Sequence, residues 1–245
     1  MISLERGRLD LSVVVPVYDE LDNLAPLVEE LRAVLESLRL SWEVLLVDDG
    51  SRDGSAEKIA ELSRRDARVR SVLMTHHGGQ SQALVAGLMR AEGAMIVTMD
   101  GDLQNDPADL PRLLAALDGA DVVSGIRERR VDPLVRRWSS SVANVARRLV
   151  LGDSLTDIGC SLKAYRREAL VGLPPFDGVH RFLPALCQLR GARVVERRVS
   201  HRPRRAGRSK YGISDRLWRG LRDLFGVRWL ASRLISPPTR ETDQP

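Results

Sequence analysis

A chain of 245 residues with 43% hydrophobic content is long enough for one large α/β domain or two small ones, and 4% aromatics leave its core to Leu, Val and Ala. The formal charge of +5 is unevenly divided: residues 1–125 hold 12 basic and 22 acidic residues, a net of −10, and residues 126–245 hold 26 and 11, a net of +15. The longest stretch free of Asp, Glu, Lys and Arg, Ser71–Met89, contains His-His-Gly-Gly-Gln-Ser-Gln, which excludes a membrane span there, and Met1–Leu9 is not expected to act as a secretory leader.

In chain order, Leu11–Val17 is a continuous β-branched run, the pattern of a strand buried on both faces. Tyr18–Asp22 reads as a loop. Asn23 is the expected N-cap of a helix with Pro26 in its first turn and apolar spacing Leu27, Leu31, Val34, Leu35, Leu38. Trp42–Val47 is a second strand, followed by Asp48-Asp-Gly-Ser-Arg-Asp-Gly-Ser55 and a helix from about Ala56 to Arg65. Val69–Met74 is a third strand, His76–Gln82 a loop and 81–91 a helix, with a fourth strand at Ile96–Met99. Four strand–loop–helix repeats predict a mostly parallel sheet whose strand ends line one crevice.

That fourth strand ends in Asp100-Gly-Asp102, with Gln104 and Asp106 at the same spacing. Two carboxylates so close repel unless a cation lies between them, and their oxygens suit Mg²⁺ or Mn²⁺ with positions left for substrate phosphates. The strand ends also carry Asp19, Glu20, Asp48 and Asp49, which suit ribose hydroxyls or a base N–H; the last two alone would equally be turn formers. No G-x-G-x-x-G follows the first strand and no P-loop occurs. His76 and His77 are expected to order the substrate pocket or face solvent rather than catalyse.

Further on come a helix from about Asp109 to Leu117, a strand at Ala120–Gly125, a helical stretch Val131–Val150, a strand at Ser161–Tyr165, a short helix at 180–190 and a strand at Ala192–Ser200. Cys160 and Cys187 lack metal-ligand spacing and read as reduced core residues of a cytosolic protein. Pro203–Gly212, with four cations and two glycines, is expected to form a mobile loop over the crevice. Ile213–Ile235 reads as an amphipathic helix with the stripe Ile213, Leu217, Leu221, Leu224, Phe225, flanked by Trp218 and Trp229 and studded with arginines. It suits a membrane interface or, at nearly equal weight, packing on the catalytic domain or a second subunit. Residues 236–245 read as a disordered tail.

With these residues in view, the chain resembles the family 2 glycosyltransferases, and among them the polyprenyl-phosphate, dolichol-phosphate-mannose-synthase-like enzymes. The marks are Val14-Val-Pro-Val-Tyr-Asp-Glu20, Val47-Asp-Asp-Gly-Ser51, Met99-Asp-Gly-Asp-Leu-Gln104 and Arg208-Ser-Lys-Tyr-Gly212, over about residues 11–226. The last, with His180-Arg-Phe182 and Arg202, points to the lipid-phosphate branch. The resemblance implies a GT-A fold over residues 1–212, with a donor half 1–125 and an acceptor half 126–212. It implies inverting transfer of a hexosyl group from a nucleotide-diphosphate sugar, UDP-linked slightly favoured over GDP-mannose, to a polyprenyl phosphate with a divalent ion. It places Pro16, Tyr18, Glu20 and Asp49 at base and ribose, and Asp100, Asp102 and Gln104 at metal and pyrophosphate. Arg127, Arg136 and Ser140 fall at the acceptor phosphate, with Asp102, Arg127 and Arg136 the catalytic set, and Arg202, Ser209 and Lys210 fall where the mobile loop meets phosphate. Many members have Asn at the position of Asp19, so Glu20 is the firmer donor contact. Many bacterial members also carry two or more C-terminal membrane helices, and none is expected within these 245 residues. Contact with the cytoplasmic face of the bilayer is therefore expected through 213–235 or a membrane partner, with a homo-oligomer through the same segment as another outcome. The alternatives are a family 2 enzyme acting on a saccharide or protein hydroxyl, a nucleotidyltransferase and a non-enzymatic nucleic-acid binder. The last is disfavoured because 181–210 lacks interleaved aromatics and the acidic half would repel a phosphate backbone, so no nucleic-acid partner is expected.

Overall fold

The β-branched run near the start of the chain becomes the centre of a seven-stranded sheet. The computed structural model describes residues 2, 9–128, 151–152, 154–203, 222–230 and 232–233. In order they form β1 (Leu9–Val17), α1 (Leu21–Ser37), β2 (Trp42–Asp48), α2 (Ser55–Arg65), β3 (Val69–Leu73), α3 (Gln80–Leu88) and β4 (Gly93–Thr98). A 3₁₀ turn (Pro107–Asp109), α4 (Leu110–Ala115), a second 3₁₀ turn (Ala116–Gly119) and β5 (Val122–Arg127) follow, then β6 (Lys163–Arg166), α5 (Arg167–Leu170), α6 (Val179–Leu189) and β7 (Val194–Val199). Residues 222–230 form a last helix, α7. The stretch 131–150, the loop 204–212 and residues 213–221 of the expected C-terminal helix lie outside the described residues.

The strands run in the order β3-β2-β1-β4-β6-β5-β7. All neighbours are parallel except β6, which is antiparallel to both β4 and β5. Alternation along β1 fills two cores. Leu11, Val13, Val15 and Val17 meet Leu24, Leu27 and Leu31 of α1 and Ile59 of α2 on one face, while Val14 meets the face covered by α3, α6 and α7. Cys160 and Cys187 are free thiols buried in those two cores, as their context suggested.

Register decides what reaches the crevice. Val17 pairs with Asp48 and Val14 with Thr98, so residues 18–20, 49–51 and 99–102 leave the sheet along one edge. Because β6 runs the other way, its first residue, Lys163, lies at that edge, opposite Thr98 and Ser124.

The start of α1 differs from expectation. The helix begins at Leu21, not after Asn23, because the Asp-Gly-Ser loop caps it from outside: Asp53 accepts from Leu21 N (3.0 Å) and Ser55 Oγ from Glu20 N (3.0 Å). Asn23 is buried one turn in, donating to Glu20 Oε2 at 2.6 Å. Pro26 accordingly falls after the first turn.

Helix α3 lies so close to the sheet that a Cβ on Gly87 would strike Val14 Cγ1 and come within 2.8 Å of Val47 Cγ2. Overpacking of this kind costs about 1–3 kcal/mol. Gly87→Ala is therefore expected to lower the unfolding free energy by that amount, read as a lower urea midpoint at unchanged slope, and an unchanged midpoint would show that the helix slides freely on the sheet.

Candidate functional site

The loop after β4 is built to present its carboxylates. Leu103, buried, adopts a left-handed backbone (φ 61°), costly for a branched side chain, while Asp102 Oδ1 accepts from Gln104 N at 3.1 Å to close the turn. Asn105 forms a β-bridge with His201, and its Oδ1 accepts from Asp100 N (3.1 Å) and Ser161 Oγ (2.8 Å). Gln80, the first residue of α3, donates its side-chain amide to Asp100 Oδ1 at 2.8 Å. Burial, and next the charge of Asp102, push the Asp100 carboxyl up to about 6 against the pull of Ser161, Lys163 and Arg127.

Lys163 is buried, its ammonium donating to the carbonyls of His180 (3.1 Å) and Ile158 (3.4 Å). Burial brings it down to about 8, although Cys160, Asp100 and Asp157 favour its charged form. Sequence reasoning missed this residue, whose only signal was a lone cation in the apolar run Leu162-Lys-Ala-Tyr165.

The donor-side residues form a second group. Tyr18 stacks on His77 with ring centroids 4.1 Å apart, and Pro16 approaches Gly101 with its carbonyl. Asp19 takes a left-handed backbone (φ 49°) and accepts from Arg52 N (2.7 Å), while Glu20 holds Asn23. The Asp49 carboxylate is turned onto the 76–79 loop. It accepts from Gly78 N (2.8 Å) and Gly79 N (2.9 Å) and lies 2.9 Å from His77 Nδ1. His77 thus orders the loop, and Asp48 caps its own turn through Gly50 N and Ser51 N.

At the far side, Arg127 ends β5. Asp157 grips it in a two-pronged pair, Nε to Oδ2 and a terminal nitrogen to Oδ1, both 2.9 Å. Glu196 on β7 in turn holds Thr156 N (2.7 Å), Thr156 Oγ1 (2.8 Å) and Asp157 N (3.3 Å). Arg202 lies on the flank, paired with Glu30 (2.6 Å) and Asp106 (2.7 Å), and its backbone N donates to Gln104 O (2.8 Å). His201 brings Nε2 to 3.5 Å from the Gln104 amide nitrogen. Arg136, Ser140, Ser209 and Lys210 lie outside the described residues.

Among the described residues no three of His, Cys, Asp and Glu converge into a closed metal cage. The raised Asp100 carboxyl beside Asp102 nevertheless fits a hard divalent ion held by few protein oxygens, with its remaining positions free for phosphate.

The comparisons agree with this geometry. A family model described as glycosyl transferase family 2 matches residues 12–172. Undecaprenyl-phosphate 4-deoxy-4-formamido-L-arabinose transferases of Salmonella paratyphi A and Salmonella choleraesuis are 39% identical over 205 residues, 83% of this chain and 63% of theirs. The chain thus spans a little under two thirds of the length of these relatives. The fold is shared with glucosyl-3-phosphoglycerate synthase from Mycobacterium tuberculosis, solved with Mn²⁺, UDP and phosphoglyceric acid. The TM-score is 0.67 at 20% identity, covering 94% of this chain and 80% of that one. A second mycobacterial protein gives 0.69 at 23% identity, covering 90% and 75%.

Replacing Asp49 by Ala leaves two loop N–H groups and His77 without their buried acceptor. Urea unfolding without nucleotide is expected to show a loss of about 2–4 kcal/mol. An unchanged midpoint would mean that the carboxylate serves only a bound ligand.

Proposed function

Since the chain belongs to glycosyl transferase family 2, we propose that it transfers a hexosyl group, with inversion, from a nucleotide-diphosphate sugar to a polyprenyl phosphate. The observation that carries this reading is one sheet edge that brings both charges together: Asp100 and Asp102 after β4, with Lys163 of β6 opposite Thr98 and Ser124 and Arg127 at the end of β5. Support comes from the relatives named for undecaprenyl phosphate and from the structural neighbour holding UDP with Mn²⁺.

In this reading Tyr18 and His77 offer a stacked platform beside the base, with Pro16 and Glu20 around the ribose, and Asp49 keeps the platform's loop in place. Asp100 and Asp102, with Gln104 beside them, would hold Mg²⁺ or Mn²⁺, which would neutralise the charge that develops on the departing diphosphate. Arg127, fixed by Asp157, orients the acceptor phosphate, joined by Arg136 and Ser140, while Arg202, Ser209 and Lys210 serve the loop over the phosphates. An oxygen of that phosphate bonds to the anomeric carbon as the bond from that carbon to the diphosphate oxygen breaks. A phosphate monoester is already anionic at neutral pH, so the step needs alignment rather than a general base. His77 and His180 are both committed to internal hydrogen bonds.

The test supplies UDP- and GDP-sugars with Mn²⁺ to undecaprenyl phosphate and, in parallel, to saccharide acceptors. Lipid-linked product is expected, and Asp102→Ala is expected to reduce it about a thousandfold or more while the protein stays folded. Product on the saccharides alone would refute the lipid-phosphate acceptor, and near-normal activity of the variant would refute the cation site.

The acceptor's isoprenoid tail requires a bilayer, and no helix of the described residues is long and apolar enough to cross one. Helix α7 buries Leu224 and Val227 but leaves Phe225 (67%) and Trp229 (63%) exposed, with Arg222 and Arg228 also facing solvent. The face left open thus combines aromatic and basic groups, and it suits peripheral binding to an anionic membrane from the cytoplasmic side. Flotation with anionic vesicles is expected to carry the protein upward in a salt-sensitive way, and the Phe225→Ser/Trp229→Ser/Arg222→Glu/Arg228→Glu variant to stay at the bottom. Equal flotation of both, or of neither, would leave α7 as a protein-contact element.

A further inference from the structure

The first turns of α3 and α6 meet beside the cation carboxylates, 99 residues apart in sequence, through Ser81 and His180. The protonation of this contact follows from its partners. Arg181 Nε can only donate, and it lies 3.2 Å from His180 Nε2, so that nitrogen accepts and Nδ1 carries the hydrogen. Nδ1–H then donates to Ser81 Oγ at 2.7 Å, and Gly178 N–H donates to the same oxygen at 2.8 Å. Two bonds from α6 therefore converge on the second residue of α3. Helix α3 has no side-chain cap of its own, since Gly79 precedes it.

What makes this more than helix packing is where each half leads. The residue before Ser81 is Gln80, which donates to Asp100 Oδ1 at 2.8 Å. The carbonyl of His180 accepts from Lys163 Nζ at 3.1 Å and so fixes the ammonium whose charge acts on Asp100. Ring and carbonyl of one residue thus orient both the amide and the cation that act on the same carboxylate. On the other side of α6, buried Asp223 of α7 lies over Gly178, 2.5 Å from where a Cβ would stand, and 3.9 Å from Arg181, holding the end of α6 that carries His180.

We propose that His180 is a positioning residue of the cation–diphosphate site, holding Gln80 through Ser81, and Lys163 through its own carbonyl, in the arrangement that presents Asp100. The inference rests on the reading of Asp100 and Asp102 as the cation carboxylates. Outer partners of metal-binding side chains typically contribute 10–100-fold to metal affinity, and His180 acts one bond further out, so the expected effect is about tenfold.

The experiment is calorimetric titration of UDP, and separately GDP, in Mn²⁺ and in EDTA. His180→Leu and Ser81→Ala are each expected to weaken the Mn²⁺-dependent binding about tenfold while binding in EDTA stays within about twofold. The double variant is expected to lose no more than either single one, because the two residues act through one contact. His180→Asn, whose side-chain amide can stand where Nδ1–H stood, should recover most of the loss. Thermal unfolding checks each protein, and Ser81→Ala carries the test if His180→Leu does not fold. Wild-type affinity in folded Ser81→Ala and His180→Leu would overturn the proposal, as would equal losses in Mn²⁺ and EDTA, the mark of a purely structural contact. Asp102→Ala separates this outcome from failure of the underlying reading: if it retains Mn²⁺-dependent binding, the cation site itself is misassigned.

Discussion

Two carboxylates at the end of β4 sit closer together than their charges favour. Loss of water, and next the charge of Asp102, push the Asp100 carboxyl up to about 6, and Ser161, Lys163, Arg127 and the Gln80 amide act the other way. Much of the local architecture is arranged around this pair. β6 runs antiparallel, which sets a lysine at the crevice edge. Leu103 tolerates a left-handed backbone to keep the turn. Asn105 and Ser161 tie the loop back to the sheet. Burial brings Lys163 down to about 8, so it stays mostly charged at neutral pH, yet the Asp100 carboxyl remains raised and a residual repulsion is left. That residual is what a divalent ion would relieve.

Around this pair the protein uses charge in two ways. Some charged groups are locked to partners and shape loops: Asp49 with the 76–79 loop, Arg127 with Asp157, Arg202 with Glu30 and Asp106. Such half-buried pairs define geometry more than they add stability, because solvent screening and desolvation offset much of their attraction. Arg127 held from behind by Asp157, itself held by Glu196, is an arginine already ordered before any anion arrives, and ordering beforehand lowers the entropy lost on binding.

How much of this was legible in the sequence depends on range. β1, β2 and the Asp-Gly-Asp turn were readable because their signals are local: β-branched runs and a charge pattern within a few residues. The mostly parallel sheet followed from alternation. Asn23 was misread as a cap because the real caps, Asp53 and Ser55, come from a loop some thirty residues on. The lone Lys163 carried no visible role because that role depends on β6 pairing antiparallel with β4, about 65 residues away. Nothing near Ser81 announces His180. In α7 the apolar stripe was legible but not its division, since helical spacing groups Leu224 with Phe225 while packing buries only the first.

The order of strands has a consequence for how the chain acquires its shape. β3, β2, β1 and β4 are complete by residue 98, with helices α1 to α3 available to cover them, so this acidic part can form while the rest is still being synthesised. β5 finds no partner until β6 or β7 exists, and the edge of β4 stays open until residues 163–166 insert beside it. During that interval the nascent chain exposes an unpaired edge, a template for association with other chains, next to the newly made carboxylates. Like charge on two such copies would oppose in-register pairing of their β4 edges.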